Sequence, residues 1–225
     1  PRERLARLLD PSMPFLEIGN IAGYMLDTKV EAKSIPGSTV IAGIGFISGV
    51  RCMVVVDDSG ILAGSMTTAG GYRIRRAEQI SLEQRLPFVH LVESAGGDLM
   101  NYTVEGFSAG GALFGSLAQL SKAGIPIISI LHGSSTAGGA YMPGLSDYVI
   151  AIKNNGRAFL AGPPLLRAAT GEIASEEELG GAEMHASISG VVEYLAENDG
   201  QGIQICRELI DRLQWNDNCS VPTKR

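Results

Sequence analysis

Cysteine is scarce and badly spaced for the tasks it usually performs. Cys52, Cys206 and Cys219 are odd in number, far apart and form no CxxC pair. That excludes a disulfide framework and a cysteine zinc site, points to a reducing compartment, and leaves no metal site to expect. Histidine is equally sparse, with only His90, His132 and His185. No apolar run approaches the ~20 residues that a membrane-spanning helix needs. No run of lysine and arginine appears either: 18 basic residues face 24 acidic ones, for a net charge of −6. A nucleic-acid partner would want a basic face. A polyphosphate ligand stays open, because it needs only a few local cations or a helix N-terminus. Pro1-Arg2-Glu3-Arg4 has no signal-peptide core behind it, so the cytoplasm is expected, or the mitochondrial matrix in a eukaryote.

What the chain does have is glycine, 29 residues in 225, well above the ~7% of average proteins. Hydrophobic residues make up 45% and charged residues 19%, the balance of a folded globular protein rather than a disordered one. The glycines sit between strongly apolar segments, so they are not a linker. Residues 2–10 suit a short amphipathic helix carrying Leu5, Leu8 and Leu9 on one side. Strands are expected over 38–47 and 50–57, with Ser48-Gly49 as their hairpin turn. Gly64 to Gly71 reads as a glycine-rich loop and 72–86 as a helix. Phe88 to Glu93 and Ile125 to Leu131 read as buried strands, with a helix over 106–123 between them. Tyr148–Ile152 and Ala158–Leu160 are further short strands, and Gly162-Pro163-Pro164 opens another helix. Helices over 187–197 and 200–214 are expected to finish a domain spanning 1–215, with 216–225 as a polar tail or linker. Strand, glycine loop and helix in recurring order predict an α/β fold with a parallel sheet and right-handed crossovers.

Two glycine-rich strand ends stand out: Ser94-Ala95-Gly96-Gly97 and Gly133 to Tyr141, the latter containing Thr136-Ala137-Gly138-Gly139-Ala140. Ligands of parallel sheets bind at the carboxyl ends of strands. Glycine there admits a substrate close to the backbone, and two amides aimed at one point make an oxyanion hole. The bland alternative is tight turns and close helix–sheet packing. Gly70-Gly71 with Arg73, Arg75 and Arg76 suits a phosphate at a helix start, against the alternative of a solvated basic face. Acid–base and nucleophilic candidates are few. His90 and His132 lie in or at the end of apolar strands, where packing or a backbone hydrogen bond is expected. Glu93 is a candidate base, although capping of nearby amides suits it better. Glu176-Glu177-Glu178 reads as a solvated helix turn, and His185 has no assignment from its surroundings.

These motifs resemble the β-type carboxyltransferase subunits of biotin-dependent acyl-CoA carboxylases and the related sodium-pump decarboxylases. The stretches that carry the resemblance are Arg2-Glu3-Arg4-Leu5 through Leu9-Asp10, Gly43-Ile44-Gly45, Ser94 to Gly97, and Thr136 to Tyr141. Further on come Gly162-Pro163-Pro164, Ala169-Thr170-Gly171-Glu172, Glu178-Leu179-Gly180-Gly181-Ala182 and His185 to Ser189-Gly190. They keep the family's order along nearly the whole chain. The resemblance implies a crotonase-like (ClpP/crotonase) spiral and transfer of a carboxyl group between carboxybiotin and the α-carbon of an acyl-CoA enolate. It implies biotin on a partner carrier protein or domain, a biotin carboxylase component, and a homo-oligomer. Backbone amides of Ala137, Gly138 and Gly139, and next Gly96 and Gly97, are the implied catalytic donors. Gly70, Gly71, Arg73, Arg75, Arg76, Ala95, Tyr141, Gly162 and Pro163 are the implied substrate-binding positions. Two departures stand against the pattern: the family commonly has Ser-Gly-Gly-Ala at the first strand end, and its subunits carry a second crotonase-like domain that completes the biotin site. Other readings are a spiral-fold peptidase, an enoyl-CoA hydratase or isomerase using Glu93, and a non-catalytic CoA-binding module. The peptidase lacks its hydroxyl, because Ala137 stands where the serine belongs and Ser134 and Ser135 are displaced.

Overall fold

The hairpin at Ser48-Gly49 forms as the sequence requires. In the computed structural model, which describes residues 1–98 and 103–215, both turn residues are left-handed, with φ of 49° and 76°. That is the two-residue geometry that matches strand twist. The Asp10 carboxylate accepts the Ser48 and Gly49 amides at 2.9 and 2.7 Å and pairs with Arg207 at 2.7 Å. The turn joins β2 (Val40–Ile47) to β3 (Val50–Asp57), and β1 (Leu16–Glu17) pairs outside β2. From β3 onward the sheet is parallel, through β4 (Phe88–Val92), β5 (Ile127–Leu131), β7 (Tyr148–Ile152) and β9 (Tyr194–Ala196). A second sheet pairs β6 (Ser134–Thr136) with β8 (Arg157–Phe159).

Why the central strands read as unbroken apolar runs is now clear, because both faces are covered. Phe88, Val92, Ile127 and Leu131 face a core completed by α2 (Thr68–Gln84) and α3 (Val104–Lys122). Val89, Leu91, Ile128 and Ile130 face a second core under α1 (Arg2–Leu8) and α8 (Asp199–Arg212). The short helices α4 (Gly138–Gly144), α5 (Pro163–Thr170), α6 (Glu176–Gly180) and α7 (Ala182–Met184) surround the second sheet.

Three expectations need correction. Residues 187–197 are not a helix: His185–Ser189 is a π-helical turn, Gly190 ends it at φ 73°, and β9 follows. The physical reason is burial with period two, Tyr194 and Ala196 turning to one core and Leu195 to the other. The loop expected over Gly64–Gly71 ends early, because Thr67 caps a helix that starts at Thr68, its hydroxyl accepting the Gly70 amide at 3.1 Å. Ser134–Thr136, expected as part of a glycine-rich strand end, is a strand of its own because β8 offers it a parallel partner. The tail expected over 216–225 lies outside the described residues.

Glu78 of α2 is 1% exposed against α3, and neither carboxyl oxygen has a well-formed hydrogen bond although the Ser116 hydroxyl lies alongside. Burial raises its pKa to about 9. The folded state therefore holds a proton that the unfolded chain releases near pH 4.3, so stability falls as pH rises between those values. Glu78→Gln should gain on the wild type by up to about 1.4 kcal/mol per pH unit in urea denaturation at pH 6 and 8. A constant difference between the two pH values would refute it.

Candidate active site: two strand ends and a pair of free amides

The carboxyl ends of β4 and β5 run side by side and are stitched together. His132 N donates to Val92 O at 3.1 Å and Thr136 N to Ser94 O at 2.9 Å. The Ser94 hydroxyl donates to Gly64 O at 2.7 Å and accepts the Gly96 amide at 3.2 Å. Met66 N donates to Gly96 O at 2.7 Å, which ties the approach to α2 onto the same turn. Gly96 has φ 87°, and a side chain there would sit 2.5 Å from the Thr136 carbonyl oxygen. A side chain on Gly139 would sit 2.8 Å from Ser94 O. Only glycine lets the two turns approach this closely.

Beyond β6 the chain enters α4 through Ala137, whose φ of 50° and ψ of −117° are unusual for a residue with a Cβ. The start of a helix leaves four amides without helical acceptors. Here Ala137 N donates to Phe159 O at 3.0 Å and Ala140 N to Ala137 O at 3.0 Å. The amides of Gly138 and Gly139 have no acceptor among the described residues. Of the expected donors, Ala137 is thus committed to β8, and Gly96 to Ser94. Gly138 and Gly139 remain as an adjacent pair, and Gly97, across the bridge to Met66, is also without an acceptor among the described residues. Gly138 is half-buried beside Met66 and Phe114, the Phe114 ring resting on Tyr141 with centroids 4.9 Å apart. Gly162 caps α5 and Pro163 begins it, a few residues beyond the Phe159 carbonyl that holds Ala137. Ala95 is exposed, its own amide bonded to Ala63 O at 3.0 Å.

The second expected site is not assembled. Gly70 and Gly71 lie inside the first turn of α2, whose amides are taken by Thr67 and by the Asp27 carboxylate, which accepts Ala69 N at 3.2 Å. Arg73 is buried, and its guanidinium donates to the carbonyls of Ile18, Gly37 and Val40. It is a strut between α2 and the first strands, unavailable to a phosphate. Arg75 and Arg76 are exposed, with Arg76 bonded to Gln79 at 2.9 Å. A cleft of about 380 Å³ opens beside the strut, lined by Arg2, Glu17, Ser38 and Arg73 among others, away from the strand-end glycines.

His90, His132 and Glu93 have carboxylate or cation partners that sequence reasoning missed. His90 Nε2 lies 3.1 Å from Asp57, and His132 Nδ1 lies 2.6 Å from Asp199. Glu93 does not cap amides: its carboxylate pairs with Arg4 at 2.6 Å, and Arg4 also holds Asp199 at 2.9 Å. His185 is fixed between Ser189 and the Ala158 carbonyl, both at 2.7 Å. Glu176 and Glu177 are not merely solvated, because both pair with Arg157. No local signal marks partners 67 to 195 residues apart.

The hydrogen bond from His132, and then Arg4, hold the Asp199 carboxyl down to about 2. A folded pKa below the unfolded one contributes stability above about pH 4 that is lost as pH falls towards 2. Because the side chain is one-third exposed, solvent screening leaves about 1 kcal/mol of this. Asp199→Asn should cost that much at pH 7 and flatten the acid limb of unfolding between pH 4 and 2 in urea titrations. An unaltered acid limb would contradict it.

The family model described as "carboxyl transferase domain" matches residues 1–225. A probable biotin-dependent acyl-coenzyme A carboxylase beta2 subunit of Mycobacterium tuberculosis is 46% identical over 215 residues, 96% of this chain and 39% of that protein. Among solved structures, the geranyl-CoA carboxylase beta subunit of P. aeruginosa superposes with a TM-score of 0.88 at 48% identity, over all of this chain and 41% of that one. The transcarboxylase 12S hexamer, with hydrolysed methylmalonyl-coenzyme A bound, gives a TM-score of 0.84 at 30% identity over 93% of this chain and 40% of that one. The chain thus spans about two-fifths of the length of the proteins it matches. With its full length matched by the family model, the chain belongs to the carboxyl transferase domain family.

Proposed function

We propose that this chain supplies the acyl-CoA-binding half of a carboxyl transfer site, with the amides of Gly138 and Gly139 as its anion-stabilising donors. The observation that carries the reading is the pair of adjacent amides left without acceptors at a parallel-sheet strand end. Amides held by a folded backbone need no reorganisation when charge develops on an oxygen, and removing one such donor from other enzymes costs about 10²–10³ in rate. The α-carbon of a thioester takes up a carboxyl group only as the enolate, so its carbonyl oxygen becomes anionic during transfer. Gly138 and Gly139 would receive that oxygen. Gly97 is the candidate donor to a second oxygen, the biotin ureido oxygen.

The donor set suits biotin chemistry. The carboxylate and the imidazole at the strand ends are both paired: Glu93 is tied to Arg4, and His132 to Asp199. Bound carboxybiotin would supply the carboxyl group, and the ring nitrogen that releases it would take up the α-proton of the thioester, so the protein would need to supply hydrogen-bond donors rather than a base. Met66 and Phe114, the latter resting on Tyr141, give Gly138 apolar neighbours that strengthen the electrostatics of its amide. The biotin carrier, the biotin carboxylase component and the other half of the site belong to partners, in a homo-oligomer of the kind that transcarboxylase 12S forms. The cytoplasm, or the mitochondrial matrix in a eukaryote, is the compartment this reading takes: methylcrotonoyl-CoA carboxylase beta chains of Arabidopsis thaliana and Dictyostelium discoideum are mitochondrial, and no helix among the described residues is long and apolar enough to cross a membrane. Arg75, exposed on α2, is the remaining candidate cation for a CoA phosphate.

A side chain at Gly138 would project 2.9 Å from the flexible end of Met66, so Gly138→Val should fold. With the completing half added, it should lose at least about 10²-fold in carboxyl transfer, measured as carboxyl passage from carboxybiotin to propionyl-CoA. Full activity would remove the amide assignment. In calorimetry of the chain alone with acetyl-CoA, Arg75→Ala should weaken binding about three- to ten-fold, the worth of one charge-assisted hydrogen bond at an exposed site. Arg73→Ala should instead unfold at lower urea, because one buried and two part-buried carbonyls lose their donor. An Arg75 variant with native affinity returns that residue to a solvated face.

A further inference from the structure

Behind the two strand ends, on the face covered by α1 and α8, lies a chain of four charged or titratable side chains that the proposed transfer does not use. Arg4 stands at its centre. Its Nη1 meets Glu93 Oε2 at 2.6 Å and its Nε meets Asp199 Oδ2 at 2.9 Å, while Asp199 Oδ1 lies 2.6 Å from His132 Nδ1. Two of these residues are the first beyond the sheet: Glu93 follows β4, and His132 follows β5. His132 is fully buried, and the other three side chains are a quarter to a third exposed.

The cluster touches the backbone that leads to the free amides. The Glu93 carboxyl lies so close to Gly133 that a side chain there would meet Oε1 at 2.7 Å. The Glu93 amide is held by Asp57 at 3.1 Å. Gly133 O accepts the Arg157 amide at 3.1 Å, and the His132 carbonyl accepts from Asn155, which fixes the start of β6. One residue after Glu93, Ser94 O both receives the Thr136 amide and lies against Gly139. Any shift of Glu93 relative to Gly133 is therefore passed to Gly138 and Gly139 through backbone of fixed register, without slack.

The geometry points to Arg4 as a positioning residue for the amide pair. Its charge holds two carboxylates together, one from each side of the seam. Without it, Glu93 and Asp199 face each other unneutralised, and Glu93 moves off Gly133. A helix of seven residues at the start of the chain thereby sets the aim of donors 134 and 135 residues further on. This rests on the proposed role of those amides, but their placement can be measured without it.

In the ligand-free chain, the ¹H–¹⁵N resonances of Gly138 and Gly139 should move in Arg4→Met and return towards the native positions in Arg4→Lys. Leu5→Ala strips core packing from the same helix and should leave both in place. Should Arg4→Met not fold, Asp199→Asn cuts the link between Arg4 and His132 and should move the same two resonances. Native positions for both glycines in a folded Arg4→Met, or in Asp199→Asn if that is the variant used, overturn the proposal. With ¹³C-labelled acetyl-CoA bound, the infrared thioester carbonyl band should be lowered in the wild type and lose that shift in Arg4→Met. A wild-type band at its solution frequency would refute the acyl-CoA role of the amides, while the glycine resonances would still decide what Arg4 does.

Discussion

The site depends on one close backbone contact, the seating of the second strand end against Ser94. The Ser94 carbonyl takes the Thr136 amide and lies against Gly139, while the Ser94 hydroxyl holds the Gly96 amide and the Gly64 carbonyl. Two segments that are remote in sequence, at Gly64 and at Thr136 to Gly139, are thus fastened to one residue. The consequence is chemical. With Ala137 tied to Phe159 on the other side, the start of α4 is fixed, and its first two helical amides, of half-buried Gly138 and buried Gly139, are left without partners among the described residues. Unpartnered amides in such a setting carry a free-energy cost that an anionic oxygen would relieve.

Around that contact the fold spends glycine where other proteins would place side chains. Gly96 and Gly139 are sites where any Cβ would strike backbone rather than a movable side-chain end. Gly138 differs, since its neighbours are the flexible end of Met66 and the Phe114 ring. The first two glycines shape the site and the third opens it, a distinction that composition cannot make. The same economy explains why few acid–base side chains are needed. Glu93 and His132 stand at the strand ends, but they are turned to the face under α1 and α8 and bonded to Arg4 and Asp199.

The basic stretch after Gly70-Gly71 shows how a phosphate-like pattern can serve structure instead. Asp27, from the excursion between β1 and β2, occupies the amide that an anion would seek at the start of α2. Arg73 points into the protein because three carbonyls from the turns around β2 lack other donors. A buried guanidinium that satisfies three carbonyls is worth more to the fold than a solvated one is to a ligand. Glu78, a turn later, is the opposite case, a buried acid with no such partners.

The sequence by itself determined the strands β2 to β5, β7 and β8, the Ser48-Gly49 hairpin, the parallel α/β class and the two glycine-rich ends, because each rests on local rules: burial on both faces, left-handed turn residues, glycine after an apolar run. It also marked residues 137–139 through their resemblance to a family. It could not separate Ala137, whose amide bonds to Phe159, from Gly138 and Gly139, whose amides do not, because that choice is made by β8 pairing with β6. Nor could it place 187–197, where a helical pattern yielded to an open edge of β7, or join Arg4 to Glu93 across 89 positions. Hydrogen-bond partners and burial are properties of packed surfaces, and only the tertiary structure brings those surfaces together.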